Sequence, residues 1–365
     1  MQAVVFRSPD VPVSVVDVDL APPKAGEVRV RIAAAGVCHS DLHVRRGEWP
    51  APAPLVMGHE GSGVVTELGE GVSGLAVGDH VVLSWVPPCG DCARCRAGRE
   101  AQCQTVASVI APLGTLFDRT SRLSTAGEPL HHYLGVSSYA EEVVVPASGA
   151  IRVRKDAPLD VIAVVGCAVA TGVGAVTNTA RVEPGSTVAV IGCGGVGLNV
   201  VQGARLAGAS RIVAVDMLPA KTALAARFGA TDAIDASHGD AVAALFELLP
   251  DGADYVFDAI GRTSTTEQAI RMLALGGAAV IVGLPPAGAT ASFEPLVLAE
   301  ADQRILGSNY GSVRPAVDIP RLVDQYMDGE LLIDELVSGR RPLAEASEAL
   351  DDLESGGALR TLLIP

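Results

Sequence analysis

At 365 residues the chain is long enough for two domains, and a protein of that size can bury about three quarters of its unfolded surface without disulfide staples. Hydrophobic residues make up 49% of it and charged residues 19%, the balance of a globular protein and not of a disordered one. Its formal charge, 27 minus 42 or −15, would repel a phosphate backbone, so no nucleic-acid partner is expected.

The N-terminus, MQAVVFRSPD, has no basic region followed by a long apolar core, which predicts no signal peptide and a cytoplasmic protein. In that compartment the seven cysteines are expected to stay reduced and to bind metal rather than pair. From there to about residue 150 the chain reads as short strands and turns. EVRVRIAAAG (27–36) alternates at its start, GSGVVTELG (61–69) and DHVVLSWV (79–86) are rich in β-formers, and Gly and Pro punctuate throughout. This predicts an all-β or barrel-like region. Within it lie GVCHSDLH (36–43), carrying Cys38, and GHEGSG (58–63), where His59 stands beside Glu60.

CGDCARCRAGREAQC (89–103) packs Cys89, Cys92, Cys95 and Cys103 into one short loop. Four thiolates there can close a tetrahedron around zinc and leave no position open, so the site is expected to be structural. A reducing compartment argues against disulfides, and the acidic charge against a nucleic-acid-binding zinc module. Chemistry is then expected elsewhere. Cys38, His59 and Cys167, the last in VGCAVATG (165–172), would leave one coordination place free, as catalytic zinc requires. On residue types alone, buried apolar cysteines remain the commoner reading of such scattered positions.

Residues 161–180, VIAVVGCAVATGVGAVTNTA, carry no charge and are long enough to span a bilayer. Their glycines, threonines and asparagine, with no leucine, predict a buried core segment instead, and no membrane partner. From about residue 185 the rhythm becomes strand, helix, strand, which builds a parallel sheet covered on both faces. GCGGVG (192–197) follows the first strand and opens a helix. Gly192 permits a tight turn, Gly194 and Gly195 keep the loop bare where a pyrophosphate would approach, and Gly197 permits close helix packing. Asp216, at the end of the next strand, would accept hydrogen bonds from adenosine ribose hydroxyls and repel a 2′-phosphate, favouring NAD over NADP. Cys193 reads as a small filler in this loop. The last 55 residues return to a mixed pattern, predicting one domain from 1–168 and 311–365 and a second from 169–310.

Taken together these motifs resemble the zinc-dependent medium-chain alcohol dehydrogenases in their long, liver-type form. The likeness runs the whole chain, through GVCHSDLH, GHEGSG, the cysteine loop, DRTSRLSTAGEPLHHYLGVSSYAE (118–141), VGCAVATG, GCGGVG and ALRTLLIP (358–365). It implies an α/β protein in which a GroES-like β-barrel catalytic domain is interrupted by a Rossmann, doubly wound coenzyme domain, with the active site in the cleft between them. It also implies two zincs per chain. Cys38, His59 and Cys167 match the ligands of the catalytic one, Glu60 a carboxylate able to approach it, and Asp41 a partner of the His59 ring. Ser40 and His43 match a proton relay. Asp216 and Lys221 match adenosine-ribose contacts, Thr171 and Val196 line the nicotinamide, and Arg360 matches a pyrophosphate contact. His39 stands where the liver form has arginine, so a pyrophosphate contact there would be weaker and pH-dependent.

Trp49, Trp85 and Tyr133 match substrate-channel positions, Trp85 crowding the catalytic zinc and the other two lying further out. That arrangement implies primary aromatic or medium-chain alcohols, oxidised reversibly with NAD, over ethanol and secondary alcohols. The long form further implies a homodimer joined through the Rossmann sheets. Three rivals stand beside this reading: a dehydrogenase of a formaldehyde–thiol adduct, a nicotinoprotein that never releases its cofactor, and a non-catalytic zinc protein. Glutathione-dependent relatives place an acidic residue and an arginine where this chain has Trp49 and Ala107, which disfavours the glutathione version and leaves mycothiol open.

Overall fold

The alternating residues of EVRVRIAAAG form the strand Glu27–Gly36, around which the first sheet is assembled in the computed structural model. It pairs antiparallel with Ser62–Leu68 on one side, with Glu142–Pro146, and with the C-terminal strand Arg360–Ile364. Its inward side chains, Val28, Val30 and Ile32, meet Val65, Val81, Leu83, Val143 and Val145 in a closed apolar core. The structure describes residues 1–356 and 358–365. They divide into two units, Met1–Cys167 with Arg314–Pro365, and Ala168–Val313.

In the first unit a further sheet runs, edge to edge, Ser14–Asp17, Gln2–Phe6, Leu55–Val56, Glu128–His132, Leu123–Thr125 and Asp19–Leu20. The C-terminal strand matters for the site. Leu362 lies opposite Gly36, and Val37 donates its N–H to the Thr361 carbonyl at 2.9 Å, so the returning chain brings Arg360 to the residues that follow Gly36.

The second unit carries six parallel strands among its described residues, in the order Asp232–Asp235, Arg211–Asp216, Thr187–Ile191, Ala253–Asp258, Leu273–Ile281 and Arg304–Gly307. Numbered along the chain this order is 3-2-1-4-5-6, the doubly wound Rossmann arrangement. Val188, Val190, Val213, Val215 and Val256 are buried, as expected of strands covered on both faces. The strand Thr187–Ile191 ends in a turn at Gly192, whose φ of +96° suits only glycine, and the helix Gly195–Leu206 follows. A Cβ on Gly197 would come within 1.7 Å of the Gly192 carbonyl oxygen, so the helix can start this close to the strand only without a side chain there.

Among the described residues no single helix is long and apolar enough to cross a membrane, although the segments Leu159–Gly166 and Ala168–Ala180 pass as a bent pair by composition. Val161 to Val176 are almost entirely inaccessible, which is the burial expected of a core segment.

Candidate active site and metal centres

The motif CHSD folds into a helix start. Cys38 is the N-cap of His39–Arg45, and the Asp41 carboxylate reaches back to accept the Cys38 N–H at 3.0 Å. The same carboxylate accepts the Tyr139 hydroxyl at 3.0 Å and Nδ1–H of His59 at 3.3 Å. Asp41 is wholly buried, and three donors converge on its charge. His59 is thereby held in the tautomer that presents Nε2, a nitrogen buried with no hydrogen-bond partner.

Cys167 enters where the backbone breaks, at φ −141° and ψ −72°, just after the 3₁₀ turn Ala163–Gly166. The Cys38, His59, Glu60 and Cys167 side chains each offer one donor atom, and all four lie within 4.8 Å of one another in a buried cluster. The scattered residues are thus brought together, which the alternative of separate apolar cysteines did not require. Glu60 reaches the cluster because residue 36 is glycine. A Cβ there would stand 2.0 Å from Glu60 Oε2.

The charges of the cluster act on one another at close range. The Cys167 thiol beside it holds Cys38 well below the usual thiol range against the effect of burial, with Arg360 and His59 helping. Cys167 is pushed correspondingly up by Cys38 and by burial. Burial opposes a charged His59, yet the Asp41 carboxylate and then Cys38 carry it well above the ordinary histidine value. Burial likewise raises Glu60 to about 7, against the pull of Arg360. Two sulfurs, a bare imidazole nitrogen and a nearby carboxylate make a donor set that fits zinc and leaves a place for substrate.

Arg360, which the resemblance matches to a pyrophosphate contact, lies beside the catalytic cluster. Its guanidinium is buried in the first unit, with Nη2 3.7 Å from Cys38 Sγ and Nε 3.4 Å from Glu60 Oε1. The contact with Glu60 is one of charge, since neither atom makes a hydrogen bond. The C-terminal strand pairing draws this side chain against the metal ligands rather than into solvent.

The cysteine loop forms the second cluster. Cys89, Cys92, Cys95 and Cys103 bring their sulfurs within 4.8 Å of one another, and all seven cysteines are free of disulfides. Backbone N–H groups point at the sulfurs: Cys92 to Cys89 at 3.3 Å and Cys95 to Cys92 at 3.4 Å. The Cys95 N–H, then that of Gln104, holds the Cys92 thiol down at about 6, while burial pushes Cys95 up to about 12. Such N–H···S contacts prepare the loop for thiolates, and four sulfurs leave no room for a substrate atom.

Ser40 lies in the first helix with Oγ 3.8 Å from Cys38 Sγ. Tyr133 stands against a metal ligand. It is buried, its ring meets that of His59 edge-on at 5.5 Å, and its hydroxyl donates to the Ser40 carbonyl at 3.1 Å. Trp85 is partly buried and packs on the barrel core. Trp49 stacks on His43, ring centres 4.3 Å apart and planes 15° from parallel. Sequence reasoning missed two partners, Glu48 on His43 and Tyr139 on Asp41. Glu48 stands five residues past His43, beyond the helix, where no helical spacing would pair them; Tyr139 is close only in three dimensions.

In the second unit Asp216 is oriented by backbone N–H groups of Cys193 at 2.8 Å and Leu218 at 2.9 Å, one on each oxygen. A Cβ on Gly194 would meet no protein atom within 4 Å, so the bareness of this loop serves something other than internal packing. An open glycine loop, a helix N-terminus and an anchored acid fit a dinucleotide. Val196 lies half-buried in the first turn of that helix, Thr171 is buried, Lys221 half-buried and His39 exposed.

Comparison with known proteins agrees. Residues 24–155 match the alcohol dehydrogenase GroES-like domain and residues 195–326 the zinc-binding dehydrogenase domain. An S-(hydroxymethyl)glutathione dehydrogenase of Escherichia coli O1:K1 / APEC is 38% identical over 367 residues, covering 99% of each chain. Among solved structures, an alcohol dehydrogenase zinc-binding domain protein from Burkholderia ambifaria has a TM-score of 0.95 at 39% identity, covering 100% of this chain and 98% of that one. The benzyl alcohol dehydrogenase of Acinetobacter calcoaceticus has a TM-score of 0.94 at 33% identity, with the same coverage. With two cysteine sulfurs and an imidazole gathered in one unit, a dinucleotide loop in the other and relatives of this kind along its whole length, the chain belongs to the zinc-dependent medium-chain alcohol dehydrogenases.

Proposed function

We propose that this enzyme interconverts primary alcohols and aldehydes with NAD(H), and that its preferred alcohols are aromatic or medium-chain. The observation that carries the reaction is the buried Cys38–His59–Cys167 cluster with His59 Nε2 bare and Ser40 beside it. When bound, zinc supplies Lewis acidity toward the alcohol or carbonyl oxygen, and NAD supplies the hydride acceptor. Asp41 keeps Nε2 of His59 turned to the metal place. Ser40 accepts the proton that the alcohol loses, and His43 carries it outward toward water. Glu60, buried beside the ligands and opposed by Arg360, moderates the charge there. The 2′-phosphate of NADP would meet the anchored Asp216 carboxylate, with Lys221 contributing to the ribose contacts. Thr171 and Val196 would line the nicotinamide, and His39 would contact the pyrophosphate.

Tyr133, edge-on to His59, and the half-buried indole of Trp49 support an aromatic or extended apolar substrate. Burying a phenyl ring contributes several kcal/mol at ~25 cal/mol per Å². The likeness to a benzyl alcohol dehydrogenase points the same way. The name of the E. coli relative favours a second reading, oxidation of S-(hydroxymethyl)glutathione. Against it, Trp49 and the exposed Ala107 offer no charge to a glutathione carboxylate. Comparing kcat/KM for benzyl alcohol, cinnamyl alcohol, ethanol, 2-propanol, and formaldehyde with and without glutathione or mycothiol separates these readings. Equal values for ethanol and benzyl alcohol, or a preference for a thiol adduct, would reject the aromatic assignment. The absorbance spectrum of the purified protein tests for permanently bound cofactor.

A further inference from the structure

The relay histidine has a partner that the reaction as described does not use. His43 lies in the last turn of the first helix, and its Nδ1 lies 2.5 Å from Glu48 Oε2. A carboxylate can only accept, so Nδ1 carries the hydrogen. Trp49, the next residue, covers one face of the ring. Among the described residues Glu48 is the one side chain hydrogen-bonded to the imidazole, which leaves Nε2 as the nitrogen with a lone pair. The tether itself is anchored: Arg46 lies 3.7 Å from Glu48 Oε1 and binds Glu354 of the helix Ala346–Glu354, which packs on the first helix and also holds Arg45. His43 and Glu48 are 17% and 29% exposed, so the pair is partly sheltered yet open to water.

We propose that Glu48 is a positioning residue for proton transfer, holding His43 in the Nδ1–H tautomer so that Nε2 accepts the relayed proton. This rests on the relay reading given above. The step balances simply. A proton coming from the Ser40 side adds to Nε2, the ring becomes imidazolium with the Glu48 carboxylate as counter-ion, and the same proton then passes to water. The Nδ1–H bond is never broken. An unanchored ring would spend part of its time in the Nε2–H form, whose lone pair is on Nδ1 and which cannot accept at Nε2. Trp49 stacked on one face sets the plane of the ring, and the Glu48 bond sets which edge carries Nε2.

The test uses the full-length, zinc-loaded enzyme with 15N-labelled histidine. In wild type the neutral His43 ring should show the Nδ1–H tautomer. Glu48→Ala should release it to a mixture, whereas Glu48→Gln, which keeps an acceptor oxygen, should retain it. The first-turnover rate of benzyl alcohol oxidation should fall roughly tenfold in Glu48→Ala with little change in KM, and less in Glu48→Gln. In a His43→Gln background, Glu48→Ala should have no further effect. An unchanged tautomer and rate in Glu48→Ala, with His43→Gln slow, would overturn the role of Glu48 alone. An unchanged rate in His43→Gln would overturn the relay reading, and this proposal with it.

Discussion

Nδ1 of His59 donates to Oδ1 of Asp41 across 3.3 Å inside a wholly buried pocket, and this bond decides which ring nitrogen is offered to a metal. Asp41→Asn keeps the shape but removes the charge that makes His59 a strong ligand. Zinc affinity at the Cys38–His59–Cys167 site should drop ~10–100-fold, while the cysteine loop keeps its metal. Zinc retained per chain against a graded chelator measures this, and equal retention by the variant and wild type would contradict it.

The two metal clusters should separate cleanly by mutation. Cys38→Ser or His59→Ala should abolish turnover in a folded protein that still holds loop zinc. Cys103→Ser should instead lower the thermal midpoint, by about 5 °C or more, because metal binding at a closed site is also folding energy. Metal analysis of active enzyme should give about two zincs per chain.

Cofactor choice is expected to follow Asp216, whose two oxygens are already aligned by the Cys193 and Leu218 N–H groups. Wild-type enzyme should strongly prefer NADH. Asp216→Gly should erode the preference from both directions, losing the ribose contact and the repulsion of a 2′-phosphate. Wild-type enzyme using NADPH as well as NADH would disprove the assignment.

Acid stability should carry a signature of His132. Its ring is buried, Nε2 accepts the Arg122 N–H at 3.1 Å, and burial followed by the Arg122 charge pushes its pKa down to about 3. Unfolded, the same residue titrates near ~6.5, so between these values the unfolded chain binds the extra proton. This contribution is therefore fully present above about pH 6.5 and is lost as pH falls toward the folded value. Denaturant unfolding at pH 7 and pH 5 should show a loss in wild type that is smaller in His132→Gln. Parallel losses in the two proteins would count against it.

The sheet of the second unit ends in an open edge. In Arg304–Gly307 no residue is buried, and the preceding helix Pro295–Glu300 likewise buries none, exposing Leu296 and Val297. An apolar edge of this kind favours pairing with a second copy. Light scattering is expected to give a dimer, and Ile305→Lys to shift it toward monomer; a wild-type monomer or tetramer would overrule this.

What could be read along the chain was whatever depends on neighbours in sequence. The loop with Cys89, Cys92, Cys95 and Cys103 can close on a metal by itself, and GCGGVG makes its own turn because Gly192 and Gly197 remove the atoms that would block it. Asp216 follows from strand length alone. These readings rest on spacing, and spacing is local physics.

The tertiary structure decided what distant segments do to one another. Cys38 and Cys167 became one site only when the barrel set a helix start against a backbone break. Arg360 turned toward Cys38 and Glu60 because strand Arg360–Ile364 pairs beside Gly36, a register no motif encodes. Tyr133 meets the edge of His59 for the same kind of reason. Glu48 escaped notice since its bond to His43 crosses a helix end, where periodicity stops. Sequence by itself determined the donor atoms, the dinucleotide loop and the family. Packing determined their partners, because hydrogen bonds and buried charges act through space over a few ångströms, whatever the separation along the chain.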